Sequence, residues 1–139
     1  MARKDFYHKT VIEALDKERW KITDDPFQFY VGKKRLAIDL GAERLISAEK
    51  GSRKIVIEIK SFLNRSDVKD LQHALGQYVM YHQALISQNI ERELYLAIPR
   101  RVYESIFQVE LGQMLLQNEW LRLIVFDEKE KVIVKWVPK

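Results

Sequence analysis

The sequence predicts a single α/β domain in which a mixed β-sheet is flanked by helices. Its 139 residues are enough for one packed core, and 47% of them are hydrophobic. Segments with the two-residue alternation of strands and segments with the helical repeat follow one another along the chain. Their order is helix, several strands, helix, strand, helix and two strands, which is typical of an α/β mixed sheet. No repeat or linker interrupts the chain, so residues 1–139 are predicted to form one domain.

The first half of the chain predicts one helix and five strands. Asp5 is a suitable N-cap for the helix, and Tyr7, Val11 and Leu15 recur on one face of it. The first strand ends at an Asp-Asp-Pro sequence, which is a turn signal. Alternating apolar residues between turn signals predict the remaining strands. The helix is predicted over residues 5–19, and the strands over 20–23, 27–31, 35–40, 44–48 and 53–60.

The second half predicts two further helices and three strands. Ser66 or Asp67 caps a long helix that ends at about Ser87, and its apolar residues recur at helical spacing. The last helical segment is predicted either as one helix or as two pieces broken near Gly112. The apolar stripe of the long helix consists of Val68, Leu71, Leu75, Tyr78, Val79, His82, Leu85 and Ile86. The strands are predicted over 93–98, 121–126 and 132–137, and the last helical segment over 100–118.

Composition restricts the classes of function. The chain has no cysteine, which excludes disulfides, zinc–thiolate sites and thiol catalysis. No apolar stretch approaches the roughly 20 residues that span a bilayer, and the N-terminus leads into an amphipathic segment instead of an apolar signal core. We therefore expect a cytoplasmic protein without membrane association.

The net charge of +4 is unevenly distributed along the chain. Residues 1–70 hold 16 Lys and Arg against 12 Asp and Glu, whereas residues 71–139 hold 8 of each. The excess clusters at residues 33–35, at 53–54 and around Lys60. A basic field of this kind suits a polyanion such as DNA, although a solvated charged surface explains the same pattern.

Two strand-borne carboxylates and a lysine form the candidate catalytic motif. Asp39 closes one apolar run, and Glu58-Ile59-Lys60 closes another. Side chains alternate along a strand, so Glu58 and Lys60 emerge on the same face. If the two strands are neighbours, Asp39, Glu58 and the backbone carbonyl of Ile59 can hold a Mg²⁺ ion, which prefers oxygen ligands. Such a metal activates water and neutralises phosphate charge, and Lys60 would orient that water or stabilise the transition state.

The acid-x-lysine triplet alone is a weak signal. Asp67-Val68-Lys69 and Asp127-Glu128-Lys129 have the same pattern, but they lie at a predicted helix start and in a predicted turn. Only Glu58-Ile59-Lys60 ends an alternating β-branched strand with a second acid upstream. The alternative is that Glu58 and Lys60 form the solvated face of a half-exposed strand.

Three further residues are candidates for the same site. Gln77 and Tyr81 are four residues apart and therefore share one face of the long helix, on the flank of its apolar stripe. They could reach the active edge of the sheet, or they could be an exposed glutamine beside a half-buried tyrosine. His8 lies near the apolar face of the first helix, where it could face the same cleft or belong to the core.

This ordered set resembles the PD-(D/E)xK nuclease superfamily, and more narrowly the chain resembles the XisH family of fdxN element excision controlling factors of cyanobacteria. The resemblance implies a restriction-endonuclease-like fold with Asp39, Glu58 and Lys60 as a Mg²⁺- or Mn²⁺-dependent nuclease triad. His8 stands where related resolvase-type nucleases have a glutamate, and Ile38 replaces the proline of the superfamily's name. The resemblance rests on residues 2–8, 20–26, 38–43, 48–51, 58–62 and 74–78.

The resemblance also implies a setting and partners. An endonuclease-like XisH protein would act in the programmed excision of a DNA element during heterocyst differentiation, with a recombinase and a companion protein, XisI. Two alternatives remain: a catalytically inactive controlling factor that binds DNA or XisI, and a toxin-like nuclease restrained by XisI. Cleavage of two DNA strands needs two sites, so a homodimer is expected.

Large apolar residues near the C-terminus are expected in the core: Leu111, Met114, Leu115, Leu116 and Trp120.

Overall fold

A computed structural model describes residues 5–139, so residues 2–4 of the N-terminal segment used above lie outside the description. The helices are α1 (His8–Lys17), α2 (Asp67–Ser87), α3 (Arg100–Tyr103) and α4 (Glu110–Gln117). The strands are β1 (Lys21–Asp24), β2 (Phe27–Val31), β3 (Lys34–Ile38), β4 (Leu40–Ser47), β5 (Gly51–Ile59), β6 (Glu93–Pro99), β7 (Leu123–Asp127) and β8 (Val132–Val137). None of the helices in the described range is long and apolar enough to cross a membrane.

Six strands form one mixed sheet in the order β1-β4-β5-β6-β7-β8. β5, β6 and β7 run parallel, and the neighbours on both sides are antiparallel. β2 and β3 form a separate antiparallel hairpin. The predicted α/β architecture with a mixed sheet flanked by helices is therefore confirmed.

Apolar side chains cover both faces of the sheet. On one face, here called the α1 face, Val11 and Leu15 of α1 pack against Ile55, Ile57 and Ile59 of β5. The opposite face, here called the α2 face, packs against α2 and the β2–β3 hairpin. β5 is central and buried on both sides over its last five residues, as is typical of a strand that pairs with a parallel neighbour.

The structure moves several predicted element boundaries, and two of these shifts affect the site. The first helix begins at His8, and Asp5 is not its N-cap, although the Asp5 carboxylate accepts the Tyr7 N–H at 2.9 Å. The predicted strand over 35–40 stops at Ile38, and β4 begins at Leu40, so Asp39 lies between two strands of different sheets.

The last helical segment is two pieces, but the break comes before Gly112. A Cβ at Gly112 would lie 2.2 Å from the carbonyl oxygen of Ile106 and 2.5 Å from the Cα of Phe107. The glycine therefore permits close packing of α4 onto the chain that precedes it, and it does not break the helix.

Two predictions about burial were wrong. The buried stripe of α2 passes through Tyr81, while Val68, His82 and Ile86 of the predicted stripe are exposed. The small residues Ala74 and Ala84 belong to the buried face, and an apolar pattern built on large side chains missed them. Of the C-terminal residues predicted to be core, Leu115 is buried and Leu116 partly buried, but three are exposed: Leu111, Met114 and Trp120.

Candidate functional site at the end of the central strand

Asp39 and Glu58 meet where β4 begins and β5 ends. The Asp39 N–H donates a hydrogen bond to Glu58 Oε1 at 3.3 Å, and the Ile59 N–H donates to Asp39 Oδ2 at 2.8 Å. Leu40 of β4 pairs with Ile57 of β5, and this antiparallel register places Asp39 beside the end of β5. The side-chain alternation of β5 then brings Glu58 out on the α2 face, where it is only 5% exposed. The interpretation of Glu58 as a solvated strand residue was therefore wrong.

Both carboxyl groups are hard to ionise because they lie together in a buried site. Burial, followed by the negative charge of Asp39, raises the pKa of Glu58 to about 8. Burial also raises the pKa of Asp39, although the Ile59 N–H and the hydrogen bond from Glu58 oppose that rise. The pair consequently retains a proton at neutral pH, shared between two oxygen-rich groups.

Lys60 places a cation beside the pair. Its Nζ lies 3.6 Å from Glu58 Oε2, and its side chain remains 21% exposed. The ammonium group therefore lies between the buried pair and solvent. The Lys60 N–H donates to the carbonyl of Ala97 on β6, which fixes the backbone at this position.

The chain after Lys60 is held by two residues that sequence analysis did not assign to the site. The Asp5 carboxylate accepts hydrogen bonds from the Ser61 N–H, at 3.1 Å, and from the Ser61 hydroxyl. Arg101 donates to the carbonyl oxygens of Ser61 and Phe62. Asp5 was interpreted only as a local helix cap, and no periodic pattern indicates a contact across 56 residues of sequence.

Tyr81 and His8 flank the carboxyl pair from opposite faces of the sheet. Burial, followed by the charges of Glu58 and Asp39, raises the pKa of Tyr81 to about 12, so its hydroxyl remains a proton donor. His8 is 4% exposed, its Nε2 lies 2.8 Å from Asp25 Oδ1, and its electrostatic influence reaches Asp39. The structure thus places both residues in the electrostatic surroundings of the pair.

Gln77 lies one helical turn before Tyr81. Its side-chain Oε1 is buried and has no hydrogen-bond partner among residues 5–139, and buried amide oxygens normally have one. The structure therefore puts Gln77 on the correct helix but does not connect it to Asp39, Glu58 or Lys60.

The donor set fits a hard divalent cation that keeps water ligands. Two carboxylates meet, and Mg²⁺ in proteins is commonly held by one or two of them together with water. The N–H and C=O of one strand residue point to the same side, so the Ile59 carbonyl lies on the edge that faces Asp39, as its N–H does. No three acidic, histidine or cysteine side chains converge as a metal-binding group within residues 5–139. Any metal at the pair therefore depends on Asp39, Glu58, the Ile59 carbonyl and water.

Fold and site together define a class: a mixed α/β single domain with a buried carboxyl pair and a lysine at the end of its central strand. Comparison of the sequence with family profiles gives a more specific result. The profile described as XisH protein matches residues 1–134, and the chain belongs to the XisH family.

Two solved structures are similar to this chain. An XisH family protein from Nostoc punctiforme PCC 73102 is 35% identical, with a TM-score of 0.85, over 96% of this chain and 99% of that one. An fdxN element excision controlling factor protein from Anabaena variabilis is 36% identical, with the same TM-score and the same coverage of both chains. No curated protein gives a significant match.

Proposed function

We propose that this protein is a Mg²⁺- or Mn²⁺-dependent DNA endonuclease of the restriction-endonuclease-like superfamily, acting in programmed excision of a DNA element. One observation carries the proposal: Asp39 and Glu58 form a buried carboxyl pair with Lys60 beside it. Carboxyl groups with strongly raised pKa values are typical of functional sites, because burial of two acids together destabilises the fold. The excision setting comes from the Anabaena variabilis relative, which is named a controlling factor for excision of the fdxN element.

Each residue of the pair has a defined role in this proposal. Asp39, Glu58 and the Ile59 carbonyl hold the metal, which when bound supplies Lewis-acid stabilisation of the phosphate and lowers the pKa of a water ligand. Glu58, which retains a proton at neutral pH, would have to release it to solvent for its carboxylate to hold the cation. Lys60 offers its ammonium group to the phosphate from the solvent side of Glu58.

Surrounding residues shape the site and exclude water. Tyr81, with its phenol kept protonated, faces the pair from α2, and Gln77, with its unpaired buried oxygen, lies one turn before it on the same helix. His8 lies at the periphery, where its bond to Asp25 ties α1 to the turn after β1. These three residues are proposed to position the reacting groups.

Nicking of supercoiled DNA tests the proposal. We expect cleavage by the wild type with Mn²⁺ or Mg²⁺ and none by Glu58→Ala. Asp67→Ala is the matched control, because Asp67 belongs to the same acid-x-lysine pattern but is exposed at the start of α2, and it should cleave normally. Equal cleavage by the wild type and Glu58→Ala, or no cleavage of any DNA by the wild type, would overturn the catalytic proposal.

A second candidate function is a non-catalytic controlling factor of the same fold. It is favoured by the absence of a third converging metal-ligand side chain within residues 5–139, and by the relative's name, which describes control of excision. A protein of this kind should retain its effect on excision after Glu58→Ala. A toxin-like nuclease restrained by a companion is a variant of the first proposal, and it predicts that expression alone harms cells and that co-expression relieves the harm.

The proposal includes two protein partners in the cytoplasm, a second copy of the chain and an XisI-like companion. Three apolar side chains on and after α4 are exposed where core residues were expected, and such residues commonly lie at interfaces. They are Leu111, Met114 and Trp120. Equilibrium sedimentation that shows only a 16.6 kDa species would exclude the homodimer.

A further inference from the structure

A second concave surface lies at the other end of the sheet and on its other face. Arg53 of β5 precedes Glu58 by five residues, which is about 17 Å along a strand. An odd separation places the two side chains on opposite faces, so Arg53 lies on the α1 face. The cavity around it has a volume of about 740 Å³. We call it the arginine pocket, and it combines three arginines with three aromatic residues: Arg44, Arg53, Arg122, Trp20, Tyr95 and Trp136.

Aromatic rings form the floor of the arginine pocket and fix Arg53 in place. The guanidinium carbon of Arg53 lies 5.8 Å from the ring centroids of Trp20, Tyr95 and Trp136. Its Nε donates to Glu93 at 3.0 Å and its Nη2 to the Tyr95 hydroxyl at 2.6 Å. Arg53 is therefore immobilised before any ligand arrives, and its remaining N–H groups are still available.

The other two arginines extend a row of positive charge across neighbouring strands. Arg44 of β4 is paired directly with Arg53 of β5, and its side chain is exposed. Arg122, which immediately precedes β7, shares Glu93 with Arg53 through a 2.8 Å contact. The backbone positions of these arginines span four adjacent strands, β4 to β7, which is roughly 14 Å at about 4.8 Å per strand. This length exceeds one phosphate group and matches several phosphates of a nucleic-acid strand.

We propose that the arginine pocket binds the phosphodiester backbone of a single nucleic-acid strand. The three guanidinium groups are the anchoring charges, and Glu93 orients two of them through its two carboxylate oxygens. Lys135 does not take part, because its ammonium lies over the ring of Tyr103, 5.2 Å from the centroid. This second site does not depend on the proposed metal chemistry, since it lies at the opposite end and face of the sheet from Glu58.

Tryptophan fluorescence of the Trp120→Phe protein tests the inference. Trp120 is the only tryptophan outside the pocket, so its removal leaves Trp20 and Trp136 as reporters. The protein is titrated with a single-stranded oligonucleotide in EDTA, which separates this test from that of metal-dependent cleavage. We expect a saturable fluorescence change. Adding Arg44→Ala and Arg122→Ala together should weaken binding about tenfold or more and reduce the magnitude of the salt slope by about 1–2.

The controls decide between the possible ligands. Lys33→Ala with Arg35→Ala removes two exposed charges from the β2–β3 hairpin, and binding should stay within about threefold of the parent. Unfolding curves should show that the pocket variant is folded, because exposed ion pairs contribute little to stability. The inference is overturned by unchanged affinity in the pocket variant, by an equal loss in the hairpin variant, or by equally tight binding of inorganic phosphate, a free nucleotide or poly-glutamate.

Discussion

The backbone N–H of Asp39 donates a hydrogen bond to the carboxylate of Glu58 at 3.3 Å, and Glu58 is itself buried at the end of β5. Two carboxyl groups that lie together at a buried strand end destabilise the fold when both are ionised. The arrangement is favourable only when a proton or a cation lies between them.

Stability should fall as pH rises, because the pKa of Glu58 is higher in the folded state than in the unfolded state. The folded protein holds the proton between the ordinary pKa of 4.5 and the raised pKa of about 8, while the unfolded chain has lost it. The contribution of Glu58 to the free energy of unfolding should therefore be highest below pH 4.5. It should decline through the interval by on the order of 3–5 kcal/mol and level off above pH 8.

Glu58→Gln should remove most of that slope, because glutamine does not titrate. Urea unfolding of both proteins at pH 5, 7 and 9 measures the difference. The variant should be as stable as the wild type at pH 5 or less stable, and more stable at pH 9. A wild-type slope that survives in Glu58→Gln would mean that another group is responsible.

Lys60→Met should separate catalysis from binding. If Lys60 stabilises charge on phosphate, the rate of DNA nicking should fall by about 10²–10³ while DNA affinity changes much less. Lys69→Met is the matched control on the exposed first turn of α2, and it should leave the nicking rate unchanged. Equal nicking rates for Lys60→Met and the wild type would remove Lys60 from the mechanism.

Two glycines should respond oppositely to alanine. A Cβ at Gly112 meets backbone atoms of Ile106 and Phe107 that cannot move independently, so Gly112→Ala should destabilise the fold by about 1–3 kcal/mol or more. Gly76 lies inside α2 with open space around the added methyl group, so Gly76→Ala should stabilise the fold by about 0.5–1 kcal/mol. Thermal unfolding measures both, and a stable Gly112→Ala protein would contradict the packing described for α4.

Sequence patterns predicted the elements whose signals are local. α2 begins where Ser66 was expected to cap it, and the Ser66 hydroxyl accepts the Lys69 N–H at 3.2 Å. Strand alternation correctly placed Glu58 and Lys60 on one face. The XisH resemblance was confirmed, whereas the restriction-endonuclease-like assignment and the catalytic roles remain predictions.

Tertiary contacts account for what the sequence did not predict. Glu58 is buried because α2 packs on the face of the sheet to which its side chain points. Asp39 takes its position because the chain passes there from β3 of the hairpin to β4 of the six-stranded sheet. The bond from Ser61 to Asp5 joins residues that no periodicity relates. The sequence also suggested that the basic residues surround the carboxylates. In the structure Arg53 lies on the α1 face of the sheet, whereas Glu58 lies on the α2 face.

The central claim is that the Asp39–Glu58 pair is a metal site, and calorimetric titration of Mn²⁺ at pH 7 tests it most directly. Wild type and Asp39→Asn are compared in two buffers with different heats of protonation. We predict binding to the wild type with release of about one proton per ion, since Glu58 is protonated before the metal binds. Both the binding and the proton release should be lost in Asp39→Asn. Absence of binding by the wild type, or equal binding by Asp39→Asn, would contradict the account.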